Sequence, residues 1–161
     1  MERSAADLIA QLDLKPHPEG GYYRELYRSS LSVQPGDGRS DRSALTTIYF
    51  LLPAGEVSRW HRVSSDEVWH HLEGAPLELF LCDPGFEQVD RNLIGPLRDG
   101  LQPELVVPPL HWQAARSTGS YSLVACVVGP GFEFTDFAML RDMPGERALM
   151  EQRQAAFTFL T

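Results

Sequence analysis

Short apolar runs follow one another along this 161-residue chain, and Gly, Pro, Ser or Asp residues separate most of them. Such spacing is typical of all-β sandwiches and barrels. A βαβ fold would need helical crossovers between the strands, and none is visible. The chain therefore predicts an all-β fold, organised as one domain over residues 1–161. The runs are "ALTTIYFLL", "VSRWHRV", "EVWHHLE", "PLELFLC", "EQVDRNLI", "PELVVP", "HWQAARS" and "YSLVACVVG".

Both ends of the chain show helical spacing instead. Ala5, Leu8, Ile9 and Leu12 share one helical face, and Ser4 stands where it can cap the helix. Near the C-terminus, "GERALMEQRQAAF" has the pattern of an amphipathic helix. We therefore expect a short helix at each end.

Charge and composition exclude two classes of partner. The net charge of -8 argues against nucleic acid, because phosphate binding needs a basic footprint. No apolar run approaches the roughly 20 residues of a membrane span, and the N-terminus lacks a secretory pattern. We expect a cytoplasmic protein in which Cys82 and Cys126, both in apolar runs, are buried free thiols.

Residues 55–74, "GEVSRWHRVSSDEVWHHLEG", carry a spaced motif: Gly55, His61, Glu67 and Gly74. It resembles the first motif of the cupin superfamily, which reads Gly, five residues, His-x-His, three or four residues, Glu, six residues, Gly. The resemblance implies a cupin double-stranded β-helix, a jelly-roll barrel with a central pocket, between the two short helices. A turn between His61 and Glu67 would bring both side chains to the same interior.

Two positions depart from the cupin pattern. Val63 stands where the first motif has its second histidine. The second motif, Pro-x-Gly-x-x-His, falls on residues 108–113 and places Gln113 at the histidine position. A firmly held transition metal usually has three or four good ligands. We therefore expect no firmly bound cofactor; if a divalent metal binds, His61 and Glu67 are the motif positions that would contact it.

Six further blocks sharpen the resemblance, since they occur in order across nearly the whole chain. Together they resemble a small cupin subfamily, the cupin-five-like group, which is catalogued as a domain of unknown function and sometimes labelled a predicted sugar epimerase. The blocks are "HPEGGYYRELYRS", "TTIYFLL", "SRWHRVSSDEVWHH", "PLELFL", "VVPPLHWQAARS" and "SYSLVACVVGPGFEFTDFAML".

The resemblance implies a pocket centred on His61, Glu67 and Gln113. In an epimerase, His61 would act as the base, oriented by Glu67, and Tyr23 or Tyr49 would act as the acid. Burial would raise the pKa of Glu67, whereas a cationic histidine beside it would lower that pKa. The alternative is that His61 and Glu67 only form a polar pair that pins a hairpin.

Strand alternation places Glu67, Trp69 and His71 on one face and His70 on the other. His71 is thus predicted to face the pocket, as a second base or a third ligand, or else to lie at the surface or an interface. Trp69 is predicted either to line a ring-binding pocket or to belong to the core.

Charged residues supply further candidates for substrate binding. Glu25 could supply a hydrogen bond, and Arg59 could hold a carboxylate or phosphate. The sequence "HPEGG", residues 17–21, places Glu19 where it could face the pocket mouth. Turn chemistry, which the two glycines favour, is the alternative for this stretch.

Three functions remain open, and each has a small molecule as the partner. The first is an epimerase-like or isomerase-like enzyme acting on a small polar metabolite such as a sugar derivative. The second is a binding module without catalysis, and the third is a metal-dependent oxygenase or isomerase.

We expect a homodimer, because cupins that resemble this chain are usually homodimers and its aromatic N-terminal strand could cover a neighbour's sheet edge. Light scattering at micromolar concentration should therefore give the mass of two chains. A monomer mass would contradict this expectation.

Overall fold

Two antiparallel sheets face each other in the computed structural model, which describes residues 3–161. The first sheet has the strand order β1-β2-β5-β12-β7-β10, the second has the order β13-β6-β11-β8-β9, and β3 and β4 form a separate hairpin. The predicted all-β jelly-roll barrel is confirmed. Its strands are Lys15–Pro16 (β1), Tyr22–Arg28 (β2), Ser32–Val33 (β3), Arg42–Ser43 (β4), Thr46–Pro53 (β5), Val57–Val63 (β6), Asp66–Gly74 (β7), Leu77–Cys82 (β8), Val89–Ile94 (β9), Glu104–Val107 (β10), Trp112–Ser117 (β11), Tyr121–Gly129 (β12) and Phe137–Met139 (β13).

The main core lies between the two sheets. Phe50, Trp69 and Val124 of the first sheet belong to one apolar cluster with Leu79 and Ala115 of the second. Because side chains alternate between the faces of a strand, each strand can send one set inward to this cluster. This core fills one part of the barrel and leaves another part open as a cavity.

Two helices cover the outside of the barrel. Helix α1, Ala5–Gln11, begins at a capping box in which Ser4 and Asp7 bond each other's backbone amides, so the predicted cap is confirmed. Helix α2 spans Pro144–Arg153 and is followed by a 3₁₀ segment, Ala155–Leu160, so the predicted C-terminal helix is shorter than its sequence pattern. Within residues 3–161, no helix is long and apolar enough to cross a membrane.

A β-bulge in β6 sets the direction of the side chains at the cavity. Against β11, His61 pairs with Gln113 but Ser58 pairs with Ala115, so β6 carries one extra residue between the two pairs. A bulge of this kind breaks the strict alternation of faces. Ser58 and His61 both have partners inside the barrel, whereas Trp60 packs outward in the cluster under α2.

The turn between β1 and β2 presses against β6. The amide of His17 donates to the carbonyl of Gly21 over 2.9 Å and closes the turn. The amide of Arg59 donates to the carbonyl of Glu19 over 2.8 Å and joins the turn to the bulged strand. The turn thereby delivers Glu19 into the barrel, where its side chain is buried.

The polar segment of residues 32–43 is anchored by an ion cluster. Arg42 forms two hydrogen bonds with Asp136, of 2.8 and 2.9 Å, and Arg39 forms a third of 3.0 Å. Hydrogen bonds from Arg42 are the largest cause that lowers the pKa of Asp136. The cluster fixes the β3–β4 hairpin to the turn Phe134–Asp136, which borders the cavity.

We expect Gly20→Ala to destabilise the protein strongly. Gly20 has φ +111°, and a Cβ there would lie 2.1 Å from the carbonyl oxygen of Val57. Left-handed strain and this clash should together lower the free energy of unfolding by more than about 2 kcal/mol. Urea denaturation measures this loss.

Gly36→Ala is the matched control, because Gly36 also has positive φ (+78°) but faces open space. Its loss should be about 1 kcal/mol, from strain alone. Equal losses in the two variants would contradict a close approach of the turn to β6.

Candidate functional site

A cavity of about 290 Å³ opens at one end of the barrel. Its rim is charged and balanced in sign, and its aromatic wall includes Tyr23, Phe50 and three phenylalanines of the segment 132–137. Its inner end contains Glu19, His61, Glu67 and Cys126, all buried. The exposed rim residues are Asp13, Lys15, Arg24, Glu25, Arg28 and Glu133.

Glu19 and His61 form a buried hydrogen-bonded pair. Nδ1 of His61 lies 2.7 Å from the carbonyl oxygen of Arg59, which can only accept, so Nδ1 carries a proton. Nε2 of His61 lies 3.1 Å from Oε2 of Glu19, and Ser58 donates to Oε1 of Glu19 over 2.8 Å. Both nitrogens of His61 are thus engaged by protein groups.

Burial keeps both members of this pair neutral. It raises the pKa of Glu19 well above its ordinary range, and repulsion from Glu67 adds to the rise. It lowers the pKa of His61 to about 4, against a smaller opposing effect of the Arg59 carbonyl. At neutral pH the acid proton of Glu19 therefore lies between Oε2 and Nε2.

His17 lies beside this pair and lines the cavity. The amide of Glu19 donates to Nδ1 of His17 over 3.2 Å, so Nε2 carries the ring proton. Among residues 3–161, no hydrogen bond ends at that Nε2 atom. Burial first, and repulsion from His61 second, lower the pKa of His17 to about 3. His17 therefore presents a neutral N–H group beside the cavity.

Glu67 projects into the cavity from β7, and Gln113 supports it from behind. Nε2 of Gln113 donates to Oε2 of Glu67 over 2.7 Å, and Nε1 of Trp69 donates to Oε1 of Gln113 over 2.7 Å. In the described part of the chain, no nitrogen or oxygen donates to Oε1 of Glu67. The Cys126 thiol, a weak donor, also bonds this carboxyl group, so Oε1 has no strong donor and can exchange a proton with a ligand.

The pKa of Glu67 is raised to about 7, chiefly by burial, while hydrogen bonds from Gln113 and the Cys126 thiol oppose the rise. A carboxyl group with this pKa is present in both protonation states near neutral pH. Such a group can take a proton from a ligand and return it. The inner end of the cavity is thus suited to proton transfer.

The family of the chain follows from a match over most of its length. Residues 6–140 match the family described as "Cupin superfamily (DUF985)". The chain belongs to the cupin superfamily.

Known proteins resemble this cupin over nearly its whole length. Protein SO0799 from Shewanella oneidensis is 33% identical with a TM-score of 0.86, over 99% of this chain and 98% of that chain. A hypothetical protein from Leishmania major is 34% identical with a TM-score of 0.79, over 93% and 98%. The uncharacterized protein YML079W of Saccharomyces cerevisiae is 26% identical over 168 residues, covering 95% of this chain and 83% of its own length. None of these names states an activity.

The donor groups of this cupin do not fit a metal ion. Both nitrogens of His61 and both ends of the Gln113 amide are engaged by protein groups, and Val63 offers no donor. Residues 3–161 contain no group of three or more His, Cys, Asp or Glu placed to hold a metal.

The structure changes the predicted pairing of the two motif residues. His61 and Glu67 line the same cavity, but no hydrogen bond or ion pair among residues 3–161 joins them. The partner of His61 is Glu19, and the partner of Glu67 is Gln113. His61 also has no free nitrogen with which to act as the predicted base.

Tyr49 and Arg59 do not reach the cavity of this cupin. Tyr49 was expected as an acid, but it packs against the cluster under α1, because Ile48 and Phe50 take the inward positions of β5. Arg59 was expected to clamp an anion, but the bulge turns it away and its Nη1 reaches only the carbonyl of Glu19, at 3.5 Å.

His71 and Trp69 are buried on the same face as Glu67, as strand alternation predicts. The cavity does not extend to either residue, so neither contacts a ligand there. His71 contacts the carbonyl of Ala75 at 3.0 Å, beyond the cavity end, and Trp69 bonds Gln113. His70 lies outside the barrel, where it pairs with Glu104.

Gln113, expected to bind substrate, lies behind Glu67 and does not line the cavity. Tyr23, predicted as an acid, and Glu25, predicted to bind substrate, do line it. Tyr23 packs against the ring of His17 with centroids 4.6 Å apart, and Glu25 pairs with Arg28 at the rim. Tyr23 and Glu25 thus lie at the cavity, and Gln113 does not.

Sequence reasoning missed His17 and placed Glu19 only at the cavity mouth. The signal was the block "HPEGG", whose two glycines allow the turn to approach β6 closely enough to bury Glu19. The three phenylalanines of the segment 132–137 also form part of the cavity wall.

The difference in stability between the wild-type protein and Glu67→Gln should depend on pH. The pKa of Glu67 is about 7 in the folded state and near its ordinary value of 4.5 when unfolded. Burial of the neutral carboxyl is therefore fully favourable below pH 4.5, and this stability is lost as the pH rises through 7. The wild-type protein should lose about 3 kcal/mol relative to the variant between pH 4.5 and 8.

Urea denaturation of both proteins at each pH measures this difference. The comparison cancels the opposing effect of His17 and His61, whose lowered pKa values add stability as the pH rises toward 6.5. A difference that stays constant from pH 4.5 to 8 would show that the pKa of Glu67 is not raised.

Proposed function

We propose that this cupin binds a small carbonyl compound in the cavity and transfers a proton at the carbon next to the carbonyl. This is the chemistry of an isomerase or an epimerase. The observation that carries the proposal is Glu67, a buried carboxyl that lines the cavity, has a pKa of about 7 and accepts its amide hydrogen bond from Gln113 at Oε2. Open-chain sugar derivatives have the carbonyl group that such a reaction requires.

Glu67 would act as the base and then as the acid. It takes the proton from the hydroxyl-bearing carbon beside the carbonyl, which leaves an enolate, and it returns the proton to the former carbonyl carbon, while the hydroxyl proton passes to the former carbonyl oxygen. This sequence is an isomerisation. An epimerisation would need a second acid on the opposite face of the same carbon. His17 would hold the carbonyl oxygen through its Nε2–H group. A neutral imidazole can stabilise an enolate in this way without giving up its proton.

The Glu19–His61 pair would support His17 and would not contact the reacting atoms. Glu19 bonds Nδ1 of His17 through its backbone amide and thereby fixes which nitrogen carries the proton. The neutral state of the pair also leaves the inner end of the cavity without a fixed charge. An enolate formed there would meet hydrogen-bond donors, and Glu67, protonated by that same step, would be neutral beside it.

The cavity volume limits the size of the ligand. About 290 Å³ is at the lower end of the range for small-molecule sites. The aromatic wall would contact the carbon face of the ligand, and the balanced charges of the rim do not favour a strongly charged one. A small polar metabolite fits this description.

A test begins with thermal shifts against a set of aldoses, ketoses and small keto acids, since a ligand that binds only the native state raises the melting temperature. NMR in D₂O then follows incorporation of deuterium into each compound that binds. Glu67→Gln should bind the same compounds but exchange deuterium at least about 100-fold more slowly.

His70→Gln is the control, because His70 lies outside the barrel. This variant should incorporate deuterium into the bound compounds at the wild-type rate. If Glu67→Gln exchanges as fast as the wild-type protein, Glu67 is not the base. If the wild-type protein binds a compound without any exchange, the cavity is a binding site without this catalysis.

A further inference from the structure

Trp69, Gln113 and Glu67 form a hydrogen-bonded chain that crosses the barrel interior. Trp69 and Glu67 lie two residues apart on β7, and Gln113 lies on β11 of the opposite sheet. Gln113 and Trp69 have relative exposures of 0% and 1%, so water does not compete for these bonds. Trp69 and Gln113 lie behind the cavity, and Glu67 is the member of the three that lines it.

The indole group determines the direction of the whole chain. An indole N–H group can only donate a hydrogen bond, so the amide end of Gln113 that faces Trp69 must be its oxygen. The other end of the same amide is then the NH₂ group, which faces Oε2 of Glu67. A flipped amide would place the NH₂ group against the indole donor and leave both groups unpaired in the interior.

We propose that Gln113, oriented by Trp69, is a positioning residue that holds Oε2 of Glu67 as an acceptor and leaves Oε1 as the oxygen that exchanges protons with a ligand. The proton of neutral Glu67 then sits on Oε1, because Oε2 already accepts the amide N–H. Donation from Gln113 also stabilises the carboxylate form, which makes Glu67 a stronger acid than burial alone would allow.

The inference deepens the proposed function and rests on it only for its catalytic meaning. The protonation of Glu67 can be measured without any substrate. A failure of the positioning role of Gln113 and a failure of the proposed reaction therefore give different results. Several other titratable or charged groups line the same cavity and can affect Glu67. They are Asp13, Lys15, His17, Glu19, Tyr23, Arg24, Glu25, Arg28, His61, Cys126 and Glu133.

Trp69→Phe tests the orientation of Gln113 by Trp69, because it removes the indole donor and keeps an aromatic ring in the core. The amide of Gln113 is then free to turn its oxygen toward Glu67, which favours the protonated carboxyl. The titration midpoint of Glu67 should rise by about one pH unit, a tenfold weaker acid. The midpoint is read from the side-chain carboxyl ¹³C signal of labelled glutamate, assigned by its absence in Glu67→Gln.

Trp60→Phe is the matched control. Trp60 is also fully buried, and its indole donates to the carbonyl of Phe157, away from the cavity. The Trp60→Phe variant should lose about as much stability as Trp69→Phe, but the titration midpoint of Glu67 should stay unchanged. An equal shift in both variants would show a general packing effect and overturn the proposal.

Gln113→Met provides a second test in case Trp69→Phe does not fold. It keeps the length of the side chain but removes the N–H donor to Glu67. The midpoint should again rise by about one unit. An unchanged midpoint in either Trp69→Phe or Gln113→Met would overturn the proposal.

Discussion

The cavity is organised by the free-energy penalty of burying two carboxyl groups in one apolar interior. Neither Glu19 nor Glu67 forms an ion pair with a lysine or an arginine within residues 3–161. A buried carboxylate without a cation is strongly unfavourable, so the pKa of each carboxyl group is raised and each is bonded to polar neighbours. Ser58 and His61 serve Glu19, and Gln113 serves Glu67. The polar residues of the inner cavity follow from this one requirement.

Features that depend on local periodicity could be predicted from the sequence. Alternation along residues 66–74 placed Glu67 and His71 inside and His70 outside, as the structure shows. The turn signals gave the order of strands along the chain, and Ser4 marked the start of the first helix. The resemblance to the first cupin motif also selected His61 and Glu67, which line the cavity. All of these depend on residues close together in the chain.

Features that depend on distant segments could not be predicted. The bulge in β6 arises from its register against β11, and it turns Arg59, which was expected to hold an anion, away from the cavity. The partner of His61 comes from the first turn of the chain, so spacing near His61 could not reveal Glu19. Likewise, nothing local to Gln113 indicates that the Trp69 indole meets it from the other sheet. The predicted His61–Glu67 pair was therefore correct in place and wrong in contact.

The position of Glu19 also has a consequence for dynamics. Glu19 and His17 sit on the turn between β1 and β2, and β1 is the edge strand of its sheet. Edge segments open locally at a lower free energy than central strands, on their own and without global unfolding. One such opening would withdraw both residues and expose the inner cavity to water in a single step. The free energy of this local opening then determines how much of the time the site is assembled, and hydrogen exchange at the amides of residues 15–21 measures it. The global stability of the barrel sets only the upper limit of that free energy.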